Sequence, residues 1–205
     1  RIDFDYIPST NHYIKFGLGD IYHTFVPGIN VFKSDFGSEE GIDTTFGAVP
    51  VYAHEYFAFV EDDFKIGSRF KVNLGLHFSG FITPNSQYQS LQPRVSARYL
   101  ITEKLSVKAS YAQMQQYIHL LTNASIGLPT DLWVPSTAKV KPENSHQWAL
   151  GLAQTVREKY EVSVEGYYKT MNNLIEYKEG SSYFSSGSNW EDQIEFGRGW
   201  SYGGE

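Results

Sequence analysis

The stretch from Leu91 to Gln116, LQPRVSARYLITEKLSVKASYAQMQQ, constrains the fold most. From Arg94 to Tyr99 the residues alternate polar and apolar. A short polar turn follows at Thr102-Glu103-Lys104, and alternation then resumes. Leu105, Val107, Ala109 and Tyr111 fall on one side, and Ser106, Lys108 and Ser110 on the other. Strands send successive side chains to opposite faces, so each segment has one apolar and one polar face. Two such segments around a tight polar turn predict a β-hairpin. Its polar side carries Arg94, Arg98 and Lys108, which a dry core does not hold without partners. An apolar outside and a charged inside is the pattern of a transmembrane β-barrel with a polar lumen. A half-exposed sheet of a soluble sandwich alternates in the same way, and on this hairpin alone it is the commoner source.

The rest of the chain tips that balance. The cleanest period-2 run is Arg69 to Phe81, with Phe70, Val72, Leu74 and Leu76 against Lys71, Asn73, Gly75 and His77. Further strand candidates are Arg1–Ile7, His12–Phe25, Val51–Phe64, Asn144–Val156, Tyr160–Tyr177 and a last one from Gly199. Together they predict an all-β, antiparallel, up-and-down meander of about nine long strands. Connections near 8–11, 65–68, 102–104 and 157–159 are short. Those at 27–50, 117–143 and 179–197 are long, and 82–90 reads as an intermediate polar connection. Short and long connections therefore alternate, which puts all short turns at one end of the sheet and the long loops at the other. Outer-membrane barrels have this asymmetry, and a sandwich has no physical reason for it. Strands of roughly 12 or more residues also exceed the usual soluble length and suffice to cross a bilayer at a tilt.

Strict alternation assigns the two faces. Phe70, Val72, Leu74, Leu76, Val95, Ala97, Tyr99, Leu105, Val107, Ala109, Leu150, Leu152, Val162 and Val164 are expected to meet lipid. Lys71, Asn73, His77, Arg94, Arg98, Lys108, Gln147, Glu161, Glu165 and Lys169 are expected to face the lumen. A formal charge of -6 argues against a nucleic-acid partner. The absence of cysteine excludes thiolate metal sites and disulfides. Aromatic residues make up 16% of the chain, with 15 Tyr, which suits membrane interfaces.

Several motifs resemble one family when taken in order. Phe59-Val60-Glu61-Asp62-Asp63-Phe64-Lys65, a turn, then Arg69-Phe70-Lys71-Val72-Asn73-Leu74-Gly75-Leu76-His77 resembles a recurrent hairpin of TonB-dependent outer-membrane receptors. The hairpin built from Leu91–Tyr99 and Leu105–Tyr111 looks like the next hairpin of those proteins. Lys141-Pro142-Glu143 is similar to their loop-to-strand transition, and Asn172-Asn173-Leu174-Ile175-Glu176 to a later segment. The likeness covers most of residues 51–177 and is nearest to receptors of Bacteroidetes type. It implies that residues 1–205 are a single partial domain of a transmembrane barrel of about 22 strands, with the plug domain and the TonB-contacting segment not visible in the chain. It implies uptake of a scarce ligand, such as an iron chelate, haem, cobalamin or a glycan, across a Gram-negative outer membrane. The expected partners are membrane lipid, the transported ligand, and the TonB complex through the plug segment. A soluble secreted β-sheet module that binds glycan is the alternative.

An enzyme reading has no constellation behind it. The six histidines are scattered, and His54-Glu55 lacks the second histidine of a zinc helix. Glu161 and Glu165 lie about 13 Å apart along a strand, too far for a glycosidase pair. No metal site and no cofactor are expected. The long loops are the better place for a ligand. Tyr117, His119 and Trp133 are the candidates there, as rings that would stack on a sugar or a planar chelate.

Overall fold

The computed structural model describes residues 1–26, 30–34, 42–46, 50–122, 131–179 and 190–205. In chain order the strands are β1 (Ile2–Ser9), β2 (His12–Phe25), β3 (Asn30–Ser34), β4 (Ile42–Phe46), β5 (Val51–Ile66), β6 (Phe70–Thr83), β7 (Ser86–Leu100), β8 (Leu105–Gln116), β9 (Ile118–Thr122), β10 (Asp131–Pro135), β11 (Glu143–Val156), β12 (Tyr160–Tyr177) and β13 (Ile194–Gly204). Nine of them form one open antiparallel sheet, β1-β2-β5-β6-β7-β8-β11-β12-β13. β3 pairs with β4, and β9 with β10, as separate hairpins inserted in two of the long connections. The predicted nine-stranded meander is therefore the sheet itself, and the two loops read as irregular carry hairpins of their own.

Register sorts the side chains onto two faces, because directly paired residues share a side. One row runs Leu74, Val95, Tyr111, Trp148, Tyr168, Tyr202 across six strands. The row below it on the same face is Val72, Ala97, Ala109, Leu150. The opposite face carries the row Lys71, Arg98, Lys108, Gly151, Glu165. It also carries Arg94 opposite Gly75, His77 opposite Gln92, and Gln147 opposite Lys169. Apolar side chains stay exposed where a soluble protein would bury them: Leu150 is 60% and Val164 63% accessible. The sheet curls toward its polar face. β10 touches β2 and β9 touches β12, although five strands of the sheet lie between β2 and β12.

Three expectations are corrected. Residues 82–90 are not an extended connection, since β6 runs to Thr83 and β7 begins at Ser86. Pro84-Asn85 turn the chain, and the Thr83 and Ser86 hydroxyls meet at 2.7 Å. The Gln- and Ser-rich run that follows is strand, with Tyr88, Ser90 and Gln92 on the polar face, so its composition hid a two-residue hairpin turn. One connection at the long-loop end is thus short. The last strand also begins before Gly199, since β13 starts at Ile194, inside the stretch 179–197 read as a long connection. The acidic run Glu61-Asp62-Asp63 is split between faces. Asp62 pairs with Leu74 and Ile14 and so lies on the apolar side, where His12 Nδ1 approaches it at 2.7 Å.

The turn between β11 and β12 puts Arg157 at φ 51° and Glu158 at φ 58°. Side chains other than Gly and Asn resist this left-handed conformation. Arg157→Asn combined with Glu158→Gly is expected to stabilise the protein by roughly 0.5–1 kcal/mol. Thermal unfolding of the detergent-solubilised full-length protein checks it. An unchanged or lower midpoint would contradict the strain argument. The Lys104–Glu158 ion pair lost in the process, at 3.1 Å, is exposed and contributes little.

Candidate functional site at the mouth of the concave face

Pro93 shapes the site. It stands inside β7 and has no N–H to give to a ladder. The β7–β8 ladder runs from Leu100–Ser106 to Arg94–Ala112 and ends next to the proline. Above that point the two strands part, and the Gln92 side chain takes over. Gln92 Oε1 accepts from the backbone N–H of Gln115 at 3.2 Å, and its Nε2 donates to Ser79 Oγ at 2.7 Å. Ser79 in turn meets the Tyr117 hydroxyl at 2.8 Å, and that hydroxyl donates to the Ser79 carbonyl at 3.2 Å. All three side chains are buried, as partnered polar groups in a dry place must be. The Tyr117 ring lies parallel to Phe81 with centroids 5.2 Å apart, within a small cluster that includes Phe25 and Ala53.

Tyr117 therefore pins the start of the β9–β10 hairpin to the wall. His119 pins the next turn. It is fully buried, with Nδ1 3.1 Å from Glu143 Oε1 and Nε2 2.9 Å from Ser136 Oγ. The consistent assignment has Nδ1–H donating to the carboxylate and Nε2 accepting from the serine. The Ser136 N–H closes the base by donating to the Tyr117 carbonyl at 2.7 Å. Beyond it, Thr137 bonds Glu191, and Lys139 bonds Asp192 at 2.8 Å, which ties this loop to the short 3-10 turn Trp190–Asp192. The Lys139 ammonium holds the exposed Asp192 carboxyl below its usual range, so this tie is present at neutral pH and is lost as acid protonates Asp192.

Of the three rings proposed from sequence, Trp133 alone is open, at 57% exposure. It borders a cavity of about 910 Å³ on the polar face, together with His77, Arg94, Glu143 and Lys169. Tyr117 and His119 hold the hairpin that carries Trp133, and their rings are packed. A second cavity of about 540 Å³, toward β1 and β2, shares His77 and Arg94 with the first. A third, of about 370 Å³, lies between Lys71, Arg98, Lys108 and Glu165. Lys71, His77, Arg94, Arg98, Lys108, Glu165 and Lys169 thus line a chain of hollows on one face, and Asn73, Gln147 and Glu161 border none of the three. His77 stands where two of them meet, stacked on Phe57 at 5.7 Å, with Nδ1 buried and unpartnered. Among the described residues no group of His, Asp and Glu is placed to hold a metal ion.

Sequence reading missed Gln92, Ser79, Ser136 and Glu143. The proline inside a period-2 run was the available signal, because it marks where a ladder must be replaced by something else.

An open antiparallel meander, apolar and exposed outside, polar and hollowed inside, is built as the wall of a transmembrane β-barrel. The model of the TonB dependent receptor-like β-barrel family matches residues 2–205, and the chain belongs to that family. Among solved structures it is similar to the outer-membrane expressed OmpT of Vibrio cholerae, at 12% identity and a TM-score of 0.45. The match covers 98% of this chain and 61% of that one, so the chain spans less than two thirds of that structure. No curated protein matches the chain.

Proposed function

We propose that residues 1–205 are one partial barrel domain of a TonB-dependent transporter in a Gram-negative outer membrane, of Bacteroidetes type by the wording of its hairpins. The whole barrel has about 22 strands on this reading. It takes up a scarce ligand of the iron-chelate, haem, cobalamin or glycan kind, and energy comes from the TonB complex through a plug segment. The role is transport, not catalysis. The observation that carries it is the concave polar face, where the hollows follow one another beneath a hairpin pinned by Tyr117 and His119. The exposed apolar face disfavours a soluble glycan module, which would have to keep Leu150, Leu152, Val162 and Val164 in water as one patch.

In this reading Trp133 is the ligand-facing ring. Trp133→Ala in the full-length protein is expected to weaken binding of the transported ligand about tenfold, roughly 1.4 kcal/mol, without changing assembly. Tryptophan-fluorescence titration with a ferric chelate, haem, cobalamin and an oligosaccharide in turn identifies the ligand. Equilibrium dialysis of the labelled ligand then compares the variant. Saturable binding of none of the four by the parent protein would sink the transport reading, and equal affinity of parent and variant would remove Trp133 from the site.

A further inference from the structure

We propose that the wall formed by β6, β7 and β8 is an anion-binding site, taking a small ligand with two or more carboxylate or phosphate groups. The inference rests on the reading of the concave face as the channel side, and it adds a ligand chemistry and a place away from the mouth.

The charges are laid out in an unusual way. The chain as a whole is acidic, yet none of β6, β7 or β8 contains an aspartate or a glutamate. Their charged residues are Lys71, Arg94, Arg98 and Lys108, all on the polar face. Lys71, Arg98 and Lys108 occupy one row, each directly opposite the next. Like charges in direct cross-strand contact oppose pairing of the strands. Evenly spaced opposite charges would remove that cost, and the sheet supplies few. Lys71 reaches Asp63 at 3.5 Å. Arg98 and Lys108 form no ion pair and no side-chain hydrogen bond among the described residues.

The space in front of these cations is shaped to take something. All three line the cavity of about 370 Å³, with the hydroxyls of Ser96 and Ser110 beside them. Gly151 continues the row past Lys108 and leaves the floor open there. Glu165 bounds the far side, since its Oε2 lies 3.3 Å from where a Gly151 Cβ would stand. A ligand thus meets a guanidinium, two ammonium groups and two hydroxyls on one wall, with the Asp63 carboxylate beside Lys71 and the Glu165 carboxylate on the far side, so the unpaired cations are Arg98 and Lys108. That set recognises several oxyanions held close together. A conflict between local rule and observed pattern of this kind is what a binding site leaves behind. Three cations against two carboxylates leave the cleft net positive, which raises the local concentration of anions at low salt.

The test uses the full-length protein in outer-membrane vesicles, with Ser110→Cys as a reporter; residues 1–205 contain no other cysteine. Its rates are compared for an anionic sulfonatoethyl and a cationic trimethylammonioethyl methanethiosulfonate, each normalised to a free thiol, at about 10 mM ionic strength. The expected result is a preference for the anionic reagent of about tenfold or more. Millimolar citrate or pyrophosphate should protect the thiol from both reagents. Arg98→Gln with Lys108→Gln should collapse the preference to within about twofold. Near-equal rates in the parent, or no protection by either anion, would overturn the proposal, and neither measurement depends on the double variant assembling. A thiol that reacts with neither reagent would instead overturn the channel-side reading beneath it.

Discussion

Leu150→Arg in the full-length protein is expected to block assembly, while Ala149→Arg one residue away is tolerated. Leu150 lies mid-strand in β11, 60% exposed, with Ala109 and Gly166 directly opposite. No acid stands next to it on that face, so an arginine would carry its charge into hydrocarbon uncompensated. The cost of a basic side chain there is roughly 2–4 kcal/mol near the bilayer midplane. Ala149 points the other way and lines the hollow of about 370 Å³, where an arginine meets water. Leu74 is the less informative position. Asp62 pairs with it directly, and Oδ1 of that carboxylate has no hydrogen-bond partner, so an arginine at 74 would find a counter-charge. Heat-modifiable mobility in membrane extracts separates assembled from unassembled barrel. Equal yields of the two variants at 149 and 150 would show that the apolar face does not meet lipid.

That contrast depends on the period-2 pattern, the part of the structure most legible in the sequence. Every strand whose two faces differ in polarity was visible, because a slip of one residue would exchange Lys71 with Val72 and Lys108 with Val107. The turns at Gly67 and at Arg157–Lys159 were visible for the same reason, as the places where alternation stops. What was not legible depends on contacts distant in the chain. Ser86 to Gln92 is polar on both sides, so no pattern separates it from a loop, and only pairing with β6 makes it strand. Asp62 reads as one of three acids in a row, and its pairing with His12 fifty residues away decides that it can sit on the apolar side. Tyr117 and His119 look like free rings in an aperiodic stretch. Their burial follows from Ser79, Glu143 and Ser136, which local sequence does not bring together.

His119 carries the second large effect. His119→Ala is expected to free the β9–β10 hairpin from the wall while the barrel stays assembled. The substitution leaves the Ser136 hydroxyl, which is fully buried, without its acceptor, and removes the donor to Glu143. The bond to the carboxylate is charge-assisted and contributes about 1.5–3 kcal/mol, and the serine bond adds about 1 kcal/mol. A loss of roughly 2–4 kcal/mol raises the open population of the hairpin by about 30- to 1000-fold. Amide hydrogen exchange over Ile118–Thr122 and Asp131–Pro135 reads that change directly, and the strands β5, β6 and β11 serve as the internal reference. Trp133→Ala is the control, because its ring is exposed and holds nothing in place, so exchange should stay as in the parent. Tyr117 should keep the first residues of the loop attached in the His119 variant, since its hydroxyl remains on Ser79. Exchange would then accelerate from Ile118 onward and leave Gln116 protected. Unchanged exchange throughout would mean that the hairpin is held by its apolar contacts with Val140 and Ile194 rather than by the histidine. Acceleration in β5 and β6 as well would mean that the hairpin and the wall unfold as one unit.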